Sequence, residues 1–331
     1  MIRVQANKTL VIVNPNSCSG LTGKNWDSIY ALIKQVLGDD LLVVASKRPG
    51  DGTLVARKYL KRGFARIVAI GGDGTINEVA NGFFEEPAGI FGQKAAARLR
   101  PINPDAVMAI IPCGTRNVLA KSLGLPEGVV ECCRTFSAGA PRKVDVIVAT
   151  ATNAKDGSTE RRVVLNAVEI GLGAEIIDRS KKVRKAVNSR LLSTVAGIIA
   201  TVPSYQSNRC EISLTGNPGR MRKLLTNMTM AVVSNGMFLG GGFRAAPGAD
   251  MADGLLDLVV IKDSGSLKVL DELANMKEGD YGKDDNVLYV QARKVSIRSK
   301  DRDVTVTVDG EPAGVLPATF QVVQCALTIK M

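Results

Sequence analysis

The spacing of apolar residues changes character once along this 331-residue chain, near Lys143, and that change limits the folds open to it. Before it, short β-branched runs suited to burial on both faces (TLVIVNP, LLVVAS, ARIVAI and AVMAIIP) alternate with helical patterns. Trp26, Ile29, Tyr30, Ile33 and Val36 share one helical face, and Leu54, Val55, Tyr59 and Leu60 share another before Gly63. Such alternation predicts a parallel sheet with right-handed crossovers, whose ligands gather at the carboxyl ends of its strands. After Lys143, short alternating strands such as VVLNAVEI, CEISLTG, TMAVVSN, LLDLVVIK and VTVTVDG are separated by Gly, Asn, Asp and Pro clusters. They predict an antiparallel β-sandwich or barrel-like domain, interrupted by one basic helical segment from Asp178 to Tyr205.

Composition removes several chemistries. The chain has no histidine, so Ser-His-Asp, Cys-His and the usual zinc sites are excluded. Cys18, Cys113, Cys132, Cys133, Cys210 and Cys325 show no C-x-x-C spacing, and reduced, mostly buried thiols are expected. A net charge of +11 favours an anionic partner. Only 4% of residues are aromatic and none alternate with basic residues, so nucleic acid is disfavoured against anionic lipid and phosphorylated small molecules. The opening MIRVQANKTLVIVNP reads as a strand and a turn rather than a signal peptide. The longest apolar run, Leu191 to Val202, is too short to cross a bilayer, and a soluble cytoplasmic protein is expected.

Three strand-end turns lie in the first half. In AIGGDGTINEVANGF, Gly71 and Gly72 form an elbow, Gly74 follows Asp73, and Thr75 with Glu78 has the spacing of a capping box. The helix N-terminus would then face a phosphate, yet Asp73 at its centre should repel one. The turn NPNSCSGLTGK, from Asn14 to Lys24, fails the Walker A spacing, and no G-x-G-x-x-G closes the first strand. In IPCGTRNVLAKSLGLP, Thr115 either caps a helix or faces a ligand. Two acidic turns lie in the second half: PGADMADGLLDL, with Asp250, Asp253 and Asp257, and VTVTVDGEPAG, with Asp309 and Glu311. The second has the form of a hairpin turn.

Taken in order, NPNS, GGDGTINEVANG, PCGTRN, PGADMADGLLDL and VDGEP resemble the diacylglycerol kinase catalytic domain family, which includes bacterial lipid kinases and the sphingosine and ceramide kinases. The resemblance implies an α/β nucleotide-binding domain over 1–142, of the type shared with NAD kinases and phosphofructokinases. It implies a β-sandwich lipid-substrate domain over 143–318, with the strand over 319–331 returning to the first domain. The reaction implied is transfer of the ATP γ-phosphoryl to a lipid hydroxyl. Diacylglycerol is the first acceptor to expect, with sphingoid base, ceramide and phosphatidylglycerol as alternatives. NAD as a soluble acceptor, or a non-catalytic binding protein, ranks lower.

The resemblance also implies roles. Gly71, Gly72, Asp73, Gly74 and Thr75 would wrap the ATP phosphates. Asn14, Pro15, Asn16, Ser17, Ser46, Glu78, Thr115 and Asn117 would supply further nucleotide contacts. Asp253 would bind Mg²⁺ with the carbonyls of Asp250 and Leu255, and Glu311 would be the general base with Asp309 beside it. Asp73 would approach the nucleotide through Mg²⁺ and its waters, or would itself be the base. Departures from the family pattern are Cys18 where a glycine is common, and Val118-Leu119-Ala120-Lys121 after the GTRN motif. An insertion spans Glu85 to Asp105. A lipid substrate in the membrane and peripheral contact with its anionic inner face are expected, the latter through Arg179, Lys181, Lys182, Arg184, Lys185 and Arg190, with a homodimer as an option.

Overall fold

The computed structural model describes residues 8–85, 99–184, 190–216, 221–281 and 285–331. The chain divides into two compact units, one reaching Val146 and completed by Val323–Met331, the other Ile147–Val322.

The first unit runs β1 (Thr9–Val13), α1 (Leu21–Lys24), α2 (Trp26–Leu37), β2 (Leu41–Ala45), α3 (Asp51–Lys61), β3 (Arg66–Gly71), α4 (Asp73–Asn81), β4 (Val107–Pro112), α5 (Val118–Ser122) and α6 (Val129–Ala138). Its strands pair in parallel in the order β2-β1-β3-β4, and Ile329 of the returning C-terminal strand pairs in parallel with Met108. Alternate residues explain the two-sided burial: Val11, Val13, Val68, Ile70, Ala109 and Ile111 pack with Ile33 of α2 and Phe136 of α6. Helices α3 and α4 pack on each other and on β1 and β3. Because β2 and β3 flank β1, strand order reverses there, and the loops after β1 and β3 meet at the switch point where such sheets bind ligands.

All six cysteines are free. Cys132 and Cys133 are buried on α6, where desolvation pushes their thiols up to about 11 and about 12, while Cys325 is exposed. Since the thiolate is the reacting form, iodoacetamide at pH 8 should label Cys325 first and spare Cys132 and Cys133 until denaturant unfolds the unit. Peptide mass spectrometry over time checks this, and early labelling of Cys133 would contradict it.

Strand β5 (Pro141–Thr152) leads into the second unit: β6 (Thr159–Val164), β7 (Ala167–Gly171), α7 (Leu172–Arg184), α8 (Arg190–Thr201), β8 (Asn208–Thr215), β9 (Met221–Ser234), β10 (Leu256–Lys262), α9 (Ser266–Glu278), β11 (Val287–Ala292), β12 (Lys294–Ser299), β13 (Thr305–Val308) and β14 (Glu311–Lys330). Antiparallel pairing runs β9-β7-β13-β14-β12-β8 and returns to β9, a closed ring that leaves those strands few open edges. Val168, Ile212, Val233, Val306, Ile297 and Phe320 belong to the core shared by the ring strands. The alternate residues Ala167, Met230, Val232 and Val259 pack in a second cluster with Ile176 of α7 and Leu273 of α9.

The expected single basic helix is two helices, α7 and α8, and the first begins at Leu172, before Asp178. They cross closely because Gly197 has no side chain: a Cβ there would lie 2.2 Å from Ser180 Oγ. Helix α9 escaped the strand-based reading, although Val269, Leu273 and Met276 recur at helical spacing on its buried face. Among the described residues, no helix is long and apolar enough to cross a membrane.

Candidate functional site

In the first unit the three turns are joined by backbone and short polar side chains. Asn14 donates from Nδ2 to Thr75 Oγ1 (2.9 Å), and the Ser17 hydroxyl lies 2.7 Å from that of Thr22, which donates to the Cys113 carbonyl (3.3 Å). A Cβ on Gly114 would lie 2.4 Å from the Gly72 Cα, and one on Gly71 would meet Thr75 at 2.7 Å. Gly114 therefore serves loop-to-loop packing, and Gly71 makes room for Thr75 within its own turn. A Cβ on Gly74 would meet nothing within 4 Å, so packing does not account for that glycine.

Helix α4 begins at Asp73 after an extended Gly72, so Thr75 lies inside the first turn and the expected capping box does not form. Glu78 instead reaches across to the start of α3, accepting from Gly50 N–H (2.8 Å) and Gly52 N–H (3.1 Å) with its two oxygens. That engagement ties Glu78 to the start of α3. Ser46 is buried just beyond β2 and its N–H donates to the Val13 carbonyl at 2.8 Å. Pro15 accepts from Gly23 N–H at 2.9 Å, and the Asn16 N–H donates to Asn14 Oδ1 at 3.0 Å.

Asp73 Oδ1 accepts the Leu119 N–H at 3.1 Å. The acid thus lies in the first turn of α4 and on the first turn of α5, and unpaired helix N–H groups at both offset its charge. Thr115 does not cap α5; Asn117 holds that position in left-handed backbone (φ +49°), and its side chain accepts from Gly114 N–H at 2.9 Å. Thr115 is left exposed on the loop.

In the second unit, Asp309 (φ +47°) and Gly310 (φ +80°) make the two-residue turn between β13 and β14, and Val308 pairs with Glu311. The Asp309 carboxylate accepts three backbone N–H groups, from Leu165 (3.2 Å), Asn166 (3.2 Å) and Ala167 (3.0 Å). It is therefore an anchor for the β6–β7 connection. Glu311 is exposed.

The other acidic turn is self-bonded: Asp250 Oδ1 accepts Ala252 N–H (3.0 Å) and Asp253 Oδ1 accepts Leu255 N–H (2.8 Å). Asp257 just beyond is 2% exposed, and burial raises its carboxyl above the usual range, with the Asp253 charge adding to the effect. Among the described residues no group of three or more acidic or cysteine side chains gathers here, and the turn offers the Asp253 carboxylate with backbone carbonyls on either side, oxygen donors of the kind that suit a hard divalent cation.

Residues 8–149 match the diacylglycerol kinase catalytic domain, and residues 166–331 match the YegS C-terminal NAD kinase beta sandwich-like domain. The chain belongs to the diacylglycerol kinase family of lipid kinases. It is 30% identical over 280 residues, 83% of its length and 78% of the relative's, to a probable YegS-like lipid kinase of Chromohalobacter salexigens. It is 26% identical over 313 residues, 94% of its length and 91% of the relative's, to a diacylglycerol kinase of Bacillus subtilis. A crystal structure named for diacylglycerol kinase from Bacillus anthracis aligns at 25% identity with a TM-score of 0.74, covering 98% of this chain and 95% of that one. Yeast NADH kinase, at 11% identity and a TM-score of 0.52 over 97% of this chain and 82% of that one, shares the fold. This lipid kinase is accordingly an ATP-dependent enzyme.

Sequence reasoning missed several residues of the kinase's framework. Thr22 joins the first and third loops; Asn235 donates from Nδ2 to the Leu165 carbonyl (2.8 Å) and Asn166 to that of Phe238 (2.8 Å), bracing the turn that Asp309 holds. Asparagines at strand ends in an apolar core were the available signal. Cys18, the departure from a common glycine, keeps the left-handed backbone (φ +52°), a conformation that costs a side-chain residue about 1 kcal/mol. Most of the insertion, 86–98, lies outside the described residues.

Proposed function

We propose that this kinase transfers the γ-phosphoryl of ATP to the hydroxyl of diacylglycerol, with Glu311 as the general base. The observation that carries the assignment is the contrast within one turn: Asp309 is consumed by three backbone N–H groups while Glu311 stands exposed beside it. The names of the relatives support the acceptor.

In this reading the N–H groups of Gly72 to Thr75 and the open face at Gly74 bind phosphate, with the Asn14 to Ser17 turn, Thr115 and Asn117 around them. Asp73, held by Leu119, would balance the charge of a cation at the nucleotide rather than act as base. The Asp253 carboxylate and the carbonyls of Asp250 and Leu255 would hold Mg²⁺. A bound Mg²⁺ supplies charge neutralisation for phosphoryl transfer. A Glu311 carboxylate oxygen takes the acceptor's hydroxyl proton as the oxygen attacks the γ-phosphorus and ADP departs.

The kinase would meet its substrate by peripheral contact at the cytoplasmic face of the membrane. Val195 (44% exposed) and Ile199 (66% exposed) stand one helical turn apart on α8, and Lys182 on α7 is exposed. Arg179 is engaged by the Ala200 carbonyl. Lys185 lies outside the described residues, as do the side chains of Lys181, Arg184 and Arg190.

The test is transfer of labelled γ-phosphate to diacylglycerol, ceramide, sphingosine, phosphatidylglycerol and NAD. Label is expected in diacylglycerol, with a rate that falls with salt on anionic vesicles and not on neutral micelles. Label in another acceptor would replace the substrate assignment, and a salt-independent rate would remove the anionic surface.

A further inference from the structure

The two ends of the acidic turn meet at one atom outside it. Tyr289 on β11 accepts the Gly248 N–H at its hydroxyl oxygen (3.1 Å) and donates the hydroxyl proton to Asp257 Oδ1 (2.8 Å). Gly248 precedes Asp250, and Asp257 follows Leu255, so this hydroxyl spans the donor segment. The fit is tight, since a Cβ on Gly248 would lie 3.1 Å from the hydroxyl oxygen. Burial and the Asp257 carboxylate push the phenol up to about 12, so it stays protonated as the donor. Its ring packs edge-on to Tyr281 (centroids 5.9 Å apart), whose own hydroxyl donates to the Ala245 carbonyl. Two tyrosines thereby pin the approach to the turn.

Bonds inside the turn join nearer residues. Asp250 to Ala252 and Asp253 to Leu255 each close two residues, and the backbone contact from Asp253 N–H to the Asp250 carbonyl is long, at 3.5 Å. They lie within the turn, whereas the Tyr289 hydroxyl joins residues on either side of it. Mg²⁺ demands near-octahedral placement of its oxygens, so the spacing of the ends governs affinity.

We infer that Tyr289 is a positioning residue for the cation: its hydroxyl ties Gly248 to Asp257 and thereby sets the span of the segment that carries Asp253 and the Asp250 and Leu255 carbonyls. The inference rests on the assignment of Mg²⁺ to that turn. Only a group that donates and accepts at one atom can make the bridge, and phenylalanine would keep the ring packing while losing both bonds. Gln291 also donates to Asp257 Oδ1 (3.3 Å) but does not reach across to Gly248 in any observed bond.

Binding of Mn²⁺ alone, without nucleotide, measured by the loss of the free-ion electron paramagnetic resonance signal, tests the two assignments separately. Asp253→Asn is expected to abolish the binding, Tyr289→Phe to weaken it about ten-fold with an unchanged circular dichroism spectrum, and Gln291→Ala to leave it near wild type. Gly248→Ala, which crowds the same hydroxyl, should repeat the Tyr289→Phe loss and serves if that variant folds poorly. The rise in thermal midpoint on adding Mn²⁺ should shrink for Tyr289→Phe, whereas a purely structural tyrosine would lower both midpoints and leave the rise intact. Wild-type affinity in Tyr289→Phe beside loss in Asp253→Asn overturns the positioning role and keeps the metal turn. Equal weakening by Gln291→Ala assigns the effect to Asp257 and overturns the bridge. Wild-type affinity in Asp253→Asn overturns the metal assignment and this inference with it.

Discussion

Glu311→Gln is expected to lower kcat by roughly 100- to 10,000-fold, the usual contribution of a general base, with little change in stability. Asp309→Asn, two residues away, should do the reverse. Glu311 is exposed, and glutamine matches it closely in size. Asp309 accepts three backbone N–H groups with two oxygens, and asparagine offers only one accepting oxygen. At least one donor of the β6–β7 connection then loses its partner, at about 1–3 kcal/mol. Asparagine also tolerates the left-handed backbone (φ +47°), so the loss reports hydrogen bonding rather than strain. Urea midpoints and kcat measured on both variants decide the matter. A stable Asp309→Asn with kcat as low as that of Glu311→Gln would return Asp309 to the chemistry, and a fully active Glu311→Gln would end its assignment as base.

A second pair of variants separates packing glycines from ligand glycines. Gly114→Ala places a Cβ 2.4 Å from the Gly72 Cα and 2.6 Å from Asn117 Oδ1. Both obstacles are held in place, Gly72 as backbone and Asn117 by its bond from Gly114 N–H at 2.9 Å. The expected cost is about 3 kcal/mol, with nucleotide affinity reduced at least ten-fold because two of the three loops are forced apart. Gly74→Ala meets nothing within 4 Å and lies on helix α4, where alanine is preferred to glycine by up to about 1 kcal/mol. It should fold as well as the wild type or better and still lose ATP affinity, because the methyl occupies the approach of the phosphates. Calorimetric titration with ATP and denaturant melts read the two effects apart. Unchanged ATP binding in Gly74→Ala would place the phosphates elsewhere on the loop.

Much of the site was legible because it lies in local runs. NPNS, GGDGT and PCGTRN each follow a strand whose β-branched residues announce it, and the five motifs in order were enough to indicate the kinase family. The roles of single residues were less legible. Glu78 has the spacing of a capping box, yet α4 starts earlier and a nearer pair of N–H groups on α3 takes its carboxylate. Tyr289 carried no signal at all, since its partners Gly248 and Asp257 are remote in sequence.

Periodicity and turn chemistry by themselves determined the parallel α/β half, the antiparallel β half, the change near Lys143 and the positions of the three strand-end loops. These depend on sterics and burial within a few residues, which a linear pattern records. Tertiary structure alone decided that Asp309 is an anchor and Glu311 is exposed, and that Gly72 and Gly114 exist for each other. It alone decided that one tyrosine hydroxyl spans the acidic turn. Those outcomes depend on which strands become neighbours, and a buried polar group bonds whichever partner the strand order brings within about 3 Å.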